Sequence, residues 1–358
     1  MRRIFLTSSV IFASSAALAE APRVAVDIAP VHSIVAAVMD GVGTPDLIVP
    51  PGTSPHDHNL RPSEARALDE ADVVVWMGHA LTPWLEGPVD TLGEGALHIE
   101  LLDLPQTIRL ELREGAAFAA HDHDHGHDDH DDHDDHGDKG HAHDDDGHDE
   151  HAHDKDGHDD HGHDEHAHED HETAEHEDHA HDAHDDHAHA DGMDPHAWLD
   201  PQNAVIWAGE IAKQLAEIDP ANAQTYTDNA QAFEQEISDL NAETKLMLEP
   251  VSDRPFIVFH DAYQYFEARF GIAAVGAVSA SDAEDPSPRR VAELREEVQQ
   301  HDAVCALTEP QFNPGIMDAM GDLKLGEIDP IGATAEPGPD LYASVIRAMA
   351  TSLAECLK

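Results

Sequence analysis

Short apolar runs alternate with helical patterns in both the first and last thirds of the chain. In the first, the pattern predicts strands at Val24–Ile28, Leu47–Val49, Val73–Trp76 and His98–Leu101, with helices near Val31–Asp40, Pro62–Glu70 and Thr82–Leu92. In the last, it predicts strands at Phe256–Phe259, Ala273–Val278, Ala303–Leu307 and Gly326–Ile328. The helices there fall near Ala262–Phe270, Pro288–Gln300, Gly315–Leu323 and Asp340–Cys356. Strands alternating with helices argue for βαβ units around largely parallel sheets. The expected fold class is therefore α/β, with two lobes of the (β/α)4 type.

Between the lobes the period changes. A helix at Pro201–Ile218 is followed by Asp219, a good N-cap, and Pro220, which suits a first helical position. Beyond them Tyr226, Ala230, Phe233, Ile237, Leu240 and Met247 recur at helical steps, skipping Thr244. A helix over 220–249 would be about 44 Å long at 1.5 Å per residue, more than a crossover in a compact sheet needs. It predicts a rigid spine, with the first lobe in residues 20–200, connecting helices in 201–249 and the second lobe in 250–358.

Residues 121–190 have no such pattern. They contain 24 of the 32 histidines, 29 acidic residues, two lysines and no apolar residue larger than alanine. A tract of this kind cannot bury enough apolar surface to offset the cost of ordering its backbone, about 1 to 2 kcal/mol per residue, so disorder is expected. It also carries almost half of the formal net charge of -56. That charge excludes a general binder of nucleic acid or anionic membrane, because phosphate would repel it at every encounter.

Residues 1–19 read as a secretory signal peptide: Arg2 and Arg3, an apolar stretch broken by serines, and Ala17-Leu18-Ala19 before Glu20. Export to an oxidising compartment follows as the expectation. The only two cysteines, Cys305 and Cys356, suit a single disulfide there; two buried thiols are the alternative.

Outside the tract the histidines are His32, His56, His58, His79, His98, His196, His260 and His301. Three stand where a parallel α/β lobe takes its ligands, just past the carboxyl ends of strands or in the loops there. His56 follows the strand Leu47–Val49, His260 ends the strand Phe256–Phe259, and His196 lies where the chain returns from the tract. Asp329, at the end of Gly326–Ile328, is the carboxylate best placed to join them. Three imidazoles and a carboxylate form the nitrogen-rich set that Zn2+ takes in a tetrahedron, whereas harder cations such as Mn2+ want more oxygen. Each histidine taken alone is equally compatible with a hydrogen-bonded core position. His58, on the motif loop, reads as a surface residue or one supporting the ligands, and His79, following a strand, as one that could face the crevice; His32, His98 and His301 read as structural or exposed, and Trp76 and Trp198 as packing residues or cleft walls.

Several motifs occur in order along the chain: Pro50-Pro51-Gly52-Thr53-Ser54-Pro55-His56-Asp57, Leu60-Arg61-Pro62-Ser63, Asp194-Pro195-His196-Ala197-Trp198-Leu199, Val258-Phe259-His260-Asp261-Ala262-Tyr263, Glu309-Pro310-Gln311-Phe312 and Asp329-Pro330. Together they resemble the cluster A-I (cluster 9) solute-binding proteins of metal ABC transporters, most closely the periplasmic zinc-binding ZnuA branch. The resemblance runs from Val24 to Lys358. It implies two α/β lobes joined by a long helix, with the metal in the crevice between them, no catalysis, and delivery of the metal to a membrane permease. Carried onto this chain, it implies His56, His196 and His260 as Zn2+ ligands, with Asp329 or water as the fourth. The histidine at position 260 favours zinc over manganese, since manganese and iron members tend to have a carboxylate there. Pro55 stands where some relatives have a ligating glutamate. Glu309 is implied as a residue orienting a ligand imidazole, and Cys305 with Cys356 as a disulfide. The resemblance also implies that 121–190 is a histidine-rich insertion that collects zinc weakly.

The reading is thus a periplasmic, monomeric zinc carrier whose partners are Zn2+ and a permease, not nucleic acid. A zinc buffer or adhesin, a manganese carrier and a secreted zinc hydrolase are the competing readings. The hydrolase lacks support from motifs: the chain has no His-Glu-x-x-His, no Gly-x-Ser-x-Gly and no phosphate-binding glycine loop.

Overall fold

A computed structural model describes residues 21–113, 118, 192–279, 287–311 and 321–358. The expected leader, the tract 121–190 and most of the helix expected at 315–323 lie outside these residues, and the described end of that helix, residues 321–323, is not helical. The first half contains β1 (Val24–Val26), α1 (Ala29–Val38), β2 (Asp46–Leu47), α2 (Pro62–Asp69), β3 (Val73–Trp76), α3 (Glu86–Leu92) and β4 (Leu97–Glu100). Next come α4 (Pro201–Ile218) and α5 (Ala223–Leu248). The second half follows as β5 (Phe256–His260), α6 (Gln264–Phe270), β6 (Ala274–Ser279), α7 (Pro288–Gln300), β7 (Cys305–Thr308), β8 (Lys324–Glu327) and α8 (Leu341–Leu357).

Each half builds one four-stranded sheet, ordered β2-β1-β3-β4 and β6-β5-β7-β8, with every strand pair parallel. The same order appears twice. In each sheet the chain reverses its direction of progress beside the first strand, between β1 and β3 and between β5 and β7. Open α/β sheets take ligands outside the carboxyl ends of the strands at such a reversal. The central strands are buried on both faces, which is why Val73–Trp76 and Phe256–Phe259 are continuous apolar runs rather than alternating ones.

At the end of β1, Asp27 accepts hydrogen bonds from the Ile28 N–H and, across the sheet, from the Met77 N–H, each at 2.7 Å. Burial pushes this carboxyl up to about 7 against the pull of those donors. In the second half the Cys305–Cys356 disulfide joins β7 to α8, with the two Cα atoms 5.6 Å apart.

The long helix differs from its expected form at its start. Asp219 closes α4 instead of capping α5, and its carboxylate accepts from the Asn222 side chain at 2.6 Å and the Tyr226 hydroxyl at 2.9 Å. Residues 219–222 are spent turning the chain so that α5 packs against α4, which delays the helix to Ala223. Its 26 residues span about 39 Å. Thr244 belongs to the buried stripe, with Tyr226, Phe233, Ile237, Leu240 and Leu248, while Ala230 and Met247 lie at its margin. The polarity of threonine hides it from an apolar pattern: its methyl packs on the helix face and the residue is buried.

The halves are also tied directly, within one compact unit. The Ser33 hydroxyl donates to the Pro339 carbonyl and accepts from the Tyr342 N–H, each at 2.9 Å. Tyr342 donates to the Trp198 carbonyl at 2.7 Å, and the Trp198 indole donates to the Pro330 carbonyl at 2.8 Å. Among the described residues, no helix is long and apolar enough to cross a membrane.

Candidate metal centre

His56 is carried by the long connection from β2 to α2. Gly52 in this connection takes a φ of +76°, a left-handed conformation that favours glycine. The connection is held on both sides of the histidine. Trp84 donates its indole N–H to the Pro55 carbonyl at 2.7 Å, and His58 Nε2 lies 2.9 Å from the Glu64 carboxylate. The same Glu64 oxygen accepts from the Arg61 N–H at 2.6 Å, just ahead of α2. His58 is therefore buried and committed to fastening the loop rather than lying at the surface.

His196 lies in the turn before α4 and is buried. Asp194 Oδ1 accepts from its backbone N–H at 3.0 Å and pairs with its Nδ1 at 2.7 Å. Burial pushes the Asp194 carboxyl up to about 7, opposed by the hydrogen bond from His196 and by the positive charge of Arg113. His260, the last residue of β5, is buried and pairs through Nδ1 with Glu309 Oε1 at 2.6 Å. Glu309 also accepts from the Tyr263 hydroxyl and the Gln311 amide, each at 2.8 Å. A carboxylate at Nδ1 keeps the proton on that nitrogen and leaves the Nε2 lone pair available to a metal.

The three Nε2 atoms meet. His196 Nε2 is 3.3 Å from His56 Nε2 and 3.3 Å from His260 Nε2. Among the described residues, His56, His196 and His260 are the group of metal-ligating type whose donor atoms cluster this tightly. A tetrahedral zinc with nitrogen at about 2.0 to 2.1 Å has ligand nitrogens about 3.3 to 3.4 Å apart, so the spacing fits that ion. The cleft over the site is lined by Gly52, Thr53, Trp198, Gln311, Ile331 and Ala333.

Asp329 is not brought into this set. Its carboxylate turns to its own loop, accepting from the Ala333 N–H at 2.9 Å and from the N–H and hydroxyl of Thr334 at 3.2 and 3.3 Å. Its oxygens do not join the cluster formed by the donor atoms of His56, His196 and His260. His79 pairs instead with Glu86 at 2.8 Å, half-exposed, and Trp76 packs in the core beneath the first sheet. Asp194 is the residue that sequence reasoning passed over. It stands inside the quoted Asp-Pro-His motif, and a carboxylate two residues before a candidate ligand was the available signal.

Two four-stranded parallel sheets, a long connecting helix and three imidazoles converging at strand ends define the metal-type class of solute-binding protein. The match to a family model described as zinc-uptake complex component A, periplasmic, runs over residues 24–356. The chain belongs to that family, ZnuA. It is 44% identical over 362 residues to the high-affinity zinc uptake system protein ZnuA of Brucella abortus (strain 2308), covering 100% of this chain and 98% of that one. It is 40% identical over 358 residues to the protein of the same name from Paracoccus denitrificans, covering 99% and 97%. A solved crystal structure of ZnuA shares the fold, with a TM-score of 0.65 at 20% identity over 94% of this chain and 100% of that one. Proteins of this family are transport components, not enzymes.

Proposed function

We propose that this protein captures Zn2+ in the periplasm, after loss of residues 1–19, and hands it as a monomer to the membrane permease of a zinc ABC transporter. The observation that carries the reading is the convergence of three Nε2 atoms, those of His56 and His260 each 3.3 Å from that of His196, with His196 and His260 buttressed by carboxylates. His56, His196 and His260 serve as the ligands. With Asp329 engaged by its own loop, the fourth position falls to water. The binding halves correspond to residues 20–200 and 250–358, with 201–249 as the connecting helices.

Capture divides among the ligands. Asp194 and Glu309 hold two imidazoles in fixed orientation, so little reorganisation remains when the ion arrives. His56 rides on the more exposed connection and completes the set from the first half. The direct ties between the halves favour small loop movements over wide opening, so release requires the permease to displace a ligand.

A crystal structure of the zinc-loaded protein, with anomalous diffraction at the zinc edge, tests this reading. One peak bonded to the three Nε2 atoms is the expected result; a peak elsewhere with none in the cleft would reject it. The tract 121–190 adds a second element. Its histidines and carboxylates make many weak, exchangeable sites that raise the local concentration of zinc near the cleft. Deleting 121–190 is expected to lower the number of zinc ions bound per protein while keeping the tight site. Unchanged stoichiometry by calorimetry would leave the tract as a spacer.

A further inference from the structure

The insertion enters and leaves the described fold through a short antiparallel stem. Glu111 and Met193 bridge; the Leu112 N–H donates to the Gly192 carbonyl and the Asp194 N–H to the Leu110 carbonyl, each at 2.8 Å. This stem belongs to neither sheet. The segment that follows ligand His260 holds it instead. The Tyr265 hydroxyl accepts from the Leu110 N–H and donates to the Asp194 carbonyl, each at 2.9 Å. Gln264, with its amide nitrogen turned toward its acceptors, donates to the Glu111 carbonyl and to Asp194 Oδ2, each at 3.0 Å.

Arg113 is the next residue along the stem, and its side chain is 11% exposed. Its fork engages both carboxylates of that second-half segment. It bonds to Asp261, the neighbour of His260, with Nε 3.0 Å from Oδ1, and to Glu267 with Nη1 2.8 Å from Oε2. The guanidinium lies 3.7 Å above the Phe118 ring, and the Phe118 N–H donates to the Val275 carbonyl in β6 at 3.0 Å. One buried cation therefore fastens the foot of the insertion to the residue beside one ligand. The strand it fastens is paired with the one bearing Asp194, which orients the other buried ligand.

We infer that Arg113 is a positioning residue of the metal site: by seating the insertion's stem on residues 261–267 it holds His196 and His260 in register for the ion. The inference rests on the zinc-binding reading above. Deletion of the tract should be harmless to the tight site only while this stem is kept. A planar fork that grips two carboxylates at once is not replaceable by a lysine point charge. Loss of a group supporting metal ligands typically lowers affinity by about 10- to 100-fold.

The test compares the full mature chain with Arg113→Lys and with the triple variant Arg113→Met, Asp261→Asn, Glu267→Gln. The triple variant removes the buried charges together, so no carboxylate is left uncompensated if the single variant folds poorly. Each is loaded with less than one equivalent of zinc, and release to a chelator is followed by stopped flow. Cobalt(II) visible spectra report the ligand geometry. The expected result is release at least about tenfold faster and a weakened tetrahedral cobalt band in protein that remains folded. Wild-type release and an unchanged cobalt band in both variants, even with lowered thermal stability, would reduce Arg113 to a structural role and overturn the inference. The wild-type control separates the two ideas: if it has no tight site that His260→Ala abolishes, the zinc reading itself fails.

Discussion

His260→Ala is expected to weaken the tight zinc site at least about a hundredfold while sparing weak binding by residues 121–190. A zinc site is worth about 10 to 16 kcal/mol in all, so each of three protein ligands carries about 3 to 5 kcal/mol, and each 1.4 kcal/mol is tenfold. The substitution does more than subtract a nitrogen. It leaves Glu309, buried at 2% exposure, without the imidazole that pairs with it at 2.6 Å, although Tyr263 and Gln311 still donate to it. Competition against a chromophoric chelator at nanomolar free zinc separates the tight site from the tract. Wild-type affinity in this variant would remove the three-histidine assignment and favour a buffer or adhesin whose tract is the functional part.

Loss of the Cys305–Cys356 disulfide is expected to cost about 4 kcal/mol of folding stability. The bond closes a loop with a sequence separation of 51, and the chain-entropy relation assigns roughly that amount to it. It joins a central strand of the second sheet to the last helix, and the tight packing of Gly326 beside Cys356 allows little rearrangement around the bridge. The strand β7 leads directly to Glu309, so the loosened protein should regain part of its stability when zinc is added, by binding linkage. Urea unfolding of the oxidised protein, the reduced protein and the doubly substituted Cys305→Ala, Cys356→Ala chain measures it. A shift below about 1 kcal/mol would mean that the packing of α8 alone secures the second half.

Much of the fold was legible because it is written locally. Val73–Trp76, Pro201–Ile218 and Pro288–Gln300 have the expected bounds, since apolar run length, a proline at the first helical turn and helical periodicity are properties of neighbouring residues. The start of α5 was not legible, because Asp219 and Pro220 suit a helix start as well as they suit the turn that the packing against α4 demands. Thr244 was misread for a related reason: its burial is decided by the partner helices rather than by its own polarity.

The site divides along the same line. Sequence by itself determined that three histidines stand past strand ends or in the connecting loops, that two cysteines are available to pair, and that a histidine- and aspartate-rich tract interrupts an α/β chain. Only the tertiary structure decided that His56 and His196, 140 residues apart, and His196 and His260, 64 apart, bring their Nε2 atoms to 3.3 Å. It also turned Asp329 into its own loop and set Asp194 and Glu309 behind the imidazoles. Strands and helices follow from interactions within a few residues, whereas a ligand set depends on how distant segments pack, and side-chain direction is settled only when those segments meet.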